Sequence, residues 1–204
     1  MRRSVVVLGL LLSVTGPLRA QSGYYVGSDG LGPELGAVLR LGARVTFEPG
    51  VYANIDNYHR SQDSLTDVGH GFSTGLVGQL RWTRRVDGAV STAFGVEGAV
   101  GKTWLHTSDT ELLGGSSTYS SSTSWHPMEY LAGAIGGVEV RVSERVRVDF
   151  EYHLWWRTER GTQTQSDSFG YPAYTSTGPY RYSEIWNTVA WRLRVLGAPA
   201  HHGN

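Results

Sequence analysis

Val146-Arg147-Val148-Asp149-Phe150-Glu151-Tyr152-His153-Leu154-Trp155-Trp156-Arg157 decides the fold, because its residues fall on two faces with the period of a strand. One face carries Val146, Val148, Phe150, Tyr152, Leu154 and Trp156. The other carries Arg147, Asp149, Glu151, His153, Trp155 and Arg157. The preceding segment, Met128 to Val142, repeats the pattern: Tyr130, Ala132, Ala134, Val138, Val140 and Val142 oppose Glu129, Gly133, Gly137, Glu139 and Arg141. Only Ser143-Glu144-Arg145 separates the two segments, so they form a hairpin.

Working outward, Val45, Phe47, Val51, Ala53 and Ile55 oppose Thr46, Glu48, Gly50, Tyr52, Asn54 and Asp56. Thr74, Leu76, Leu80 and Trp82 oppose Ser73, Gly75, Gln79 and Arg81, and after a turn Val90, Phe94, Val96 and Val100 oppose Ser91, Ala93 and Glu97. A shorter strand sets Leu35, Ala37, Leu39 and Leu41 against Glu34, Gly36 and Arg40. The last, about Arg181 to Leu196, sets Val189, Trp191, Leu193 and Val195 against Thr188, Ala190, Arg192 and Arg194. With the weak segment Gly23 to Gly27 there are eight strands.

Before them lies a secretory signal: Arg2 and Arg3, an apolar run from Val5 to Val14, a break at Gly16-Pro17, and Ala20 before the cleavage point. That run is too short for a permanent membrane helix. The expected organisation is a signal peptide over 1–20, one β domain over 21–196 and a short tail over 197–204. Cleavage removes three arginines and no acid, so the exported chain is mildly acidic.

The 204 residues include no Cys, which removes disulfides, thiolate metal sites, cysteine nucleophiles and cysteine-linked lipid anchors. A net charge of +0 gives no reason to expect nucleic-acid binding.

Connections alternate in length. Short turns fall near Gly42 to Arg44, Arg84 to Gly88 and Ser143 to Arg145; long loops span His59 to His70, Thr107 to Pro127 and Glu159 to Tyr180. An up-and-down order places all short turns at one end, as in barrels of the bacterial outer membrane. The expected fold is all-β, an eight-stranded antiparallel up-and-down transmembrane β-barrel. A soluble sandwich would give the same alternation, but its strands need not reach the ~9 to 11 residues that cross a bilayer obliquely. Aromatic residues also gather at strand ends. Phe72, Trp104, Tyr130, Trp156 and Tyr182 are expected in a girdle towards the long loops, with Phe47 and Trp82 in a second towards the short turns.

These residues resemble the small eight-stranded outer-membrane barrels of the OmpA-like and opacity-protein type, over the whole exported chain. The best local match is Gly136 to Val148 followed by Phe150-Glu151-Tyr152, which looks like that family's penultimate hairpin. The family's assembly signal is matched by Thr188, Ala190, Leu193 and Val195 in the last strand, although Ala replaces the usual Gly and neither late position is aromatic. The resemblance implies outer-membrane lipid and the barrel-assembly machinery as partners.

The inward faces are then expected to hold a charged network: Arg40, Arg81, Arg141, Arg147, Arg192 and Arg194 against Glu48, Glu97, Glu139, Asp149 and Glu151, with His153 beside Glu151. Eight strands leave a bore that side chains fill, and buried charges there must pair. The preference for Arg is marked, Lys102 being the only lysine, although a GC-rich genome would produce the same bias.

A lipid A deacylase-like barrel would want a Ser two residues after His153, where Trp155 stands, so no catalytic residue is assigned and no enzyme is expected. His59, His70, His106 and His126 lie in or beside the expected loops, and His201 and His202 on the tail. None has the close spacing of a metal site, so no metal or cofactor is assigned. The loops, Ser-rich over Gly114 to Ser124 and mixing Ser, Thr and Gln with Phe169, Tyr171, Tyr174, Tyr180 and Tyr182 further on, suit contact with an extracellular protein or glycan. Three functional classes follow: a structural or surface-interaction barrel, a narrow channel for small hydrophobic or ionic solutes as in OmpW-like relatives, and a lipid-modifying enzyme.

Overall fold

The computed structural model describes residues 23–62, 65–113, 117–168 and 174–197. The expected signal peptide, Phe169 and Tyr171 of the last expected long loop, and His201 and His202 of the expected tail lie outside them. The described chain is all-β: β1 (Gly23–Asp29), β2 (Gly32–Arg40), β3 (Val45–Gln62), β4 (Leu65–Arg85), β5 (Val90–Leu113), β6 (Ser117–Trp125), β7 (Met128–Arg141), β8 (Val146–Asp167) and β9 (Tyr174–Leu196). Every pairing is antiparallel, and β9 closes on β1, with Tyr25 opposite Arg194.

The ring has eight staves because β6 and β7 form one descending strand, both pairing with β5 and β8. The break at His126-Pro127 has a backbone cause. Proline has no N–H to give a ladder, while the Pro127 carbonyl still accepts from Thr103 N at 3.1 Å and His126 N donates to Thr162 O at 3.2 Å.

Three hairpins share one turn. In Leu41-Gly42-Ala43-Arg44-Val45, Val86-Asp87-Gly88-Ala89-Val90 and Val142-Ser143-Glu144-Arg145-Val146, the first residue's N–H donates to the last valine's carbonyl at 3.0 Å. These are the short turns expected from sequence, all at one end.

At the opposite end the expected long loops are largely strand. Ladders run to Gln62 and Leu65 between β3 and β4, to Leu113 and Ser117 between β5 and β6, and to Asp167 and Tyr174 between β8 and β9. Thr, Ser and Tyr line both faces there, so the apolar half of the alternation is missing although the ladder continues. At about 3.3 Å per residue and a tilt near 40°, a strand as long as β5 rises about 60 Å, against an apolar band of ~25 Å. Neither β1 nor β2 rises with it. They meet in the tight hairpin Asp29-Gly30-Leu31-Gly32, where Gly32 has φ 116° and Asp29 Oδ1 accepts Leu31 N at 2.7 Å. Above that hairpin the wall consists of β3, β4, β5, β6, β8 and β9, with β3 and β9 unjoined.

The faces fall as expected. Phe94, Val96, Val138, Phe150, Leu154, Trp156, Val189 and Trp191 are exposed on the outside, whereas Glu48, Arg81, Asp149, His153 and Arg192 are fully buried within. A soluble protein would have the reverse arrangement.

Candidate functional site

The inner face of β8 sets out the lumen from the short turns upward. Arg147, half-buried at the mouth, pairs with Glu139. Asp149 meets Arg81 Nη2 at 2.9 Å and Arg194 Nε at 2.8 Å, and Arg194 reaches Glu48 at 2.9 Å and Glu139 at 3.1 Å. Glu151 contacts Arg81 and lies 2.8 Å from Arg192. Arg192, with no exposed surface, also bonds Glu34 Oε2 at 2.9 Å and Gln79, and lies over the Tyr25 ring at 5.2 Å. Tyr25 in turn donates to Glu34 at 2.9 Å.

His153 comes next, its Nε2 3.3 Å from Glu151 and its Nδ1 3.2 Å from Glu97, which also meets Gln79 and lies 3.8 Å from Arg192. Above it Trp155 packs with Leu31, Tyr52 and Leu131 in an apolar layer, and Trp186 meets the Trp155 ring edge-on at 5.3 Å. A second charged group lies beyond this layer. Arg157 sits 2.6 Å from Glu129 and 3.3 Å from Glu184, also pairs with Glu159, and Tyr52 donates to Glu129 at 3.2 Å. A cavity of about 250 Å³ opens beside it, lined by Asn54, Asp56, Glu129, Arg157 and Trp186.

Of the charges expected in the network, Glu48, Arg81, Glu97, Glu139, Arg147, Asp149, Glu151, His153, Arg192 and Arg194 meet within the lumen. Arg40 and Arg141 do not. Both are exposed at the short-turn mouth, where they line cavities of about 440 and 610 Å³, and Arg141 donates to the Gly88 carbonyl at 3.1 Å. Each is the last residue of its strand, at the open end of the ladder, opposite Thr46 and Arg147 respectively. The expected list also lacked Asp29, Glu34, Gln79, Glu129, Arg157 and Glu159. Five of these share the face of a neighbour already counted as inward, so parity alone would have found them. Asp29 follows from Tyr25 by the same count.

Six of the expected aromatic residues face outward. Phe72 and Trp104 stack at 5.7 Å near one end, with Lys102 Nζ 5.5 Å from the Trp104 ring; Trp82 stacks on Phe94 at 5.9 Å near the other; Phe47, Tyr130 and Trp156 are exposed. Tyr182 departs from the girdle. Counting up β9 from Ala190 through Trp186 and Glu184 puts it on the inner face, where its hydroxyl donates to Glu184 at 2.9 Å.

No family model and no curated protein matches this chain. Solved structures do. Acinetobacter baumannii CarO aligns with a TM-score of 0.54 at 9% identity, covering 90% of this chain and all of that one. A major outer membrane protein from Thermus thermophilus aligns with a TM-score of 0.50 at 9% identity, over 85% of this chain and 98% of that one. A. baumannii CarO2 aligns with a TM-score of 0.50 at 8% identity, over 87% of this chain and 99% of that one. The chain is an outer-membrane β-barrel. The likeness is one of fold, and a closed ladder with an apolar outside is what a bilayer demands of strands.

Proposed function

We propose that this barrel has a structural or surface-interaction role, of the OmpA-like or opacity-protein type, with its lumen occluded by its own side chains. The observation that carries the reading is Arg192. Its guanidinium binds Glu34 of β2, Gln79 of β4 and Glu151 of β8, and β4 stands diametrically opposite β9 in the ring. One side chain thus spans a bore that eight strands leave barely wide enough to fill. The apolar layer of Leu31, Tyr52, Leu131 and Trp155 covers it from above.

The strands above the membrane, rich in Ser, Thr and Tyr, are then the surface for an extracellular protein or glycan, and Thr188, Ala190, Leu193 and Val195 the last-strand signal read by the assembly machinery. The reading is non-enzymatic, since His153 faces the lumen away from lipid and its next inward neighbour is Trp155.

Conductance of the purified protein in planar bilayers tests this. The wild type should show no steady ion current, and Arg192→Ala should raise it, with a heat-modifiable gel band to verify folding. A wild type passing large, steady currents would overturn the occluded reading and bring forward the narrow-channel one.

A further inference from the structure

The lumen carries more negative charge than its arginines balance. Below the apolar layer, Asp29, Glu34, Glu48, Glu97, Glu139, Asp149 and Glu151 share four guanidiniums, those of Arg81, Arg147, Arg192 and Arg194, and one imidazole. Uncompensated carboxylates in such a place are costly. The surplus is concentrated at one point, where Asp29, Glu97 and His153, all buried, bring one donor atom each to within 4.8 Å of one another.

The free atoms at that point are specific. Asp29 Oδ1 is taken by the Leu31 N–H at 2.7 Å, leaving Oδ2 with no hydrogen-bond partner. Glu97 Oε2 is held by Gln79, leaving Oε1 with none. His153 Nε2 lies 3.3 Å from Glu151 Oε2 and Nδ1 3.2 Å from Glu97 Oε2. The two carboxylates therefore each have one oxygen fixed by a neighbour and one without a hydrogen-bond partner, beside an imidazole whose Nε2 faces Glu151. Metal sites are supported in this way, with a carboxylate on the far nitrogen of the histidine orienting the ring and setting its tautomer.

We propose that Asp29, Glu97 and His153 form a binding site for one divalent transition-metal cation inside the barrel. One imidazole with two carboxylates and no thiolate suits Zn2+ or Mn2+. Donors ~2.1 Å from a tetrahedral zinc stand about 3.4 Å apart, so side-chain rotation of roughly an ångström closes the site. The ion would join β1, β5 and β8, the three strands that supply the ligands, and would fix the Asp29 hairpin over the lumen. No short spacing announces it, because the ligands lie 68 and 56 residues apart.

The full exported chain, refolded in detergent with Zn2+ and then desalted, should retain about one equivalent by elemental analysis. Refolded with Co2+, it should show a visible d–d band and quenched tryptophan emission, since the Trp155 and His153 ring centroids are 5.6 Å apart. Asp29→Asn, Glu97→Gln and His153→Gln, each with its folded band verified by gel, should bind Zn2+ at least about tenfold more weakly, and Asp109→Asn, on the outer strands, should bind as the wild type does. A wild type that retains no Zn2+ and shows no Co2+ band would overturn the site. It would leave His153 as a bridge between Glu97 and Glu151 alone. Retention lost in Asp109→Asn but kept in the three lumen variants would overturn it equally.

Discussion

Arg81 Nη2 stands 2.9 Å from Asp149 Oδ1, although their strands, β4 and β8, are three places apart round the ring. The pair is a tie across the barrel, and the same guanidinium binds Glu151 and lies 4.0 Å from Glu139. Arg81→Ala would leave these three acids short of a cation in a dry interior, a loss of about 3 to 5 kcal/mol. The unfolding midpoint in urea should fall accordingly. Arg81→Lys should recover part of the loss, because an ammonium supplies the charge without the two-pronged geometry. Equal midpoints for Arg81→Ala and wild type would mean that water already fills this level of the lumen.

Leu80 and Val138 face lipid, so Leu80→Arg or Val138→Arg should cost on the order of 2 to 4 kcal/mol near the midplane. Ser121→Arg should be neutral or mildly stabilising. Ser121 lies in β6 above the membrane, opposite Asp109 of β5 and Asp167 of β8, which would welcome a cation. Refolding efficiency into lipid vesicles measures all three, and uniform behaviour would contradict the assignment of faces.

The membrane-spanning half was legible because lipid enforces strict alternation, and residues such as Phe150, Leu154, Asp149 and Glu151 take the faces their parity dictates. Above the membrane both faces meet water, and the rule vanishes. Ser117 to Trp125 therefore reads as a loop and folds as β6. The site was legible in part for a different reason. Parity places Arg192, Glu151 and Asp29 in the lumen, but no local spacing says that Asp29 meets Glu97 and His153, which lie far along the chain.

Gly101 and Gly75 leave room for Tyr52. A Cβ on Gly101 would strike the Tyr52 hydroxyl, and one on Gly75 would meet its ring. That hydroxyl binds Glu129, which holds Arg157. Gly101→Ala should therefore displace the ring and cost about 1 to 3 kcal/mol by overpacking. Tyr52→Phe in the same background should recover little, because the ring also collides. Thermal gel-shift midpoints compare the variants, and an unchanged midpoint for Gly101→Ala would show that Tyr52 can move freely.

Asp67 and Asp109 lie directly opposite each other on β4 and β5, well above the bilayer. Burial first, then the hydrogen bond and charge of Asp67, raise the Asp109 carboxyl above its ordinary value. A raised native pKa in an acid means the folded hairpin prefers the protonated form. Its contribution is complete below the ordinary carboxylate value of about 3.9 and is lost as pH rises through the raised one. Arg60 stands opposite Asp67 in the β3–β4 ladder, on the far side from Asp109. Amide exchange at Ser108 and Thr110, corrected for its intrinsic pH dependence, should thus show the outer hairpin opening more readily as pH rises through that window. Asp67→Asn removes the like charge and should flatten the trend. Protection that increases with pH across the same window, in wild type, would contradict this reading of the pair.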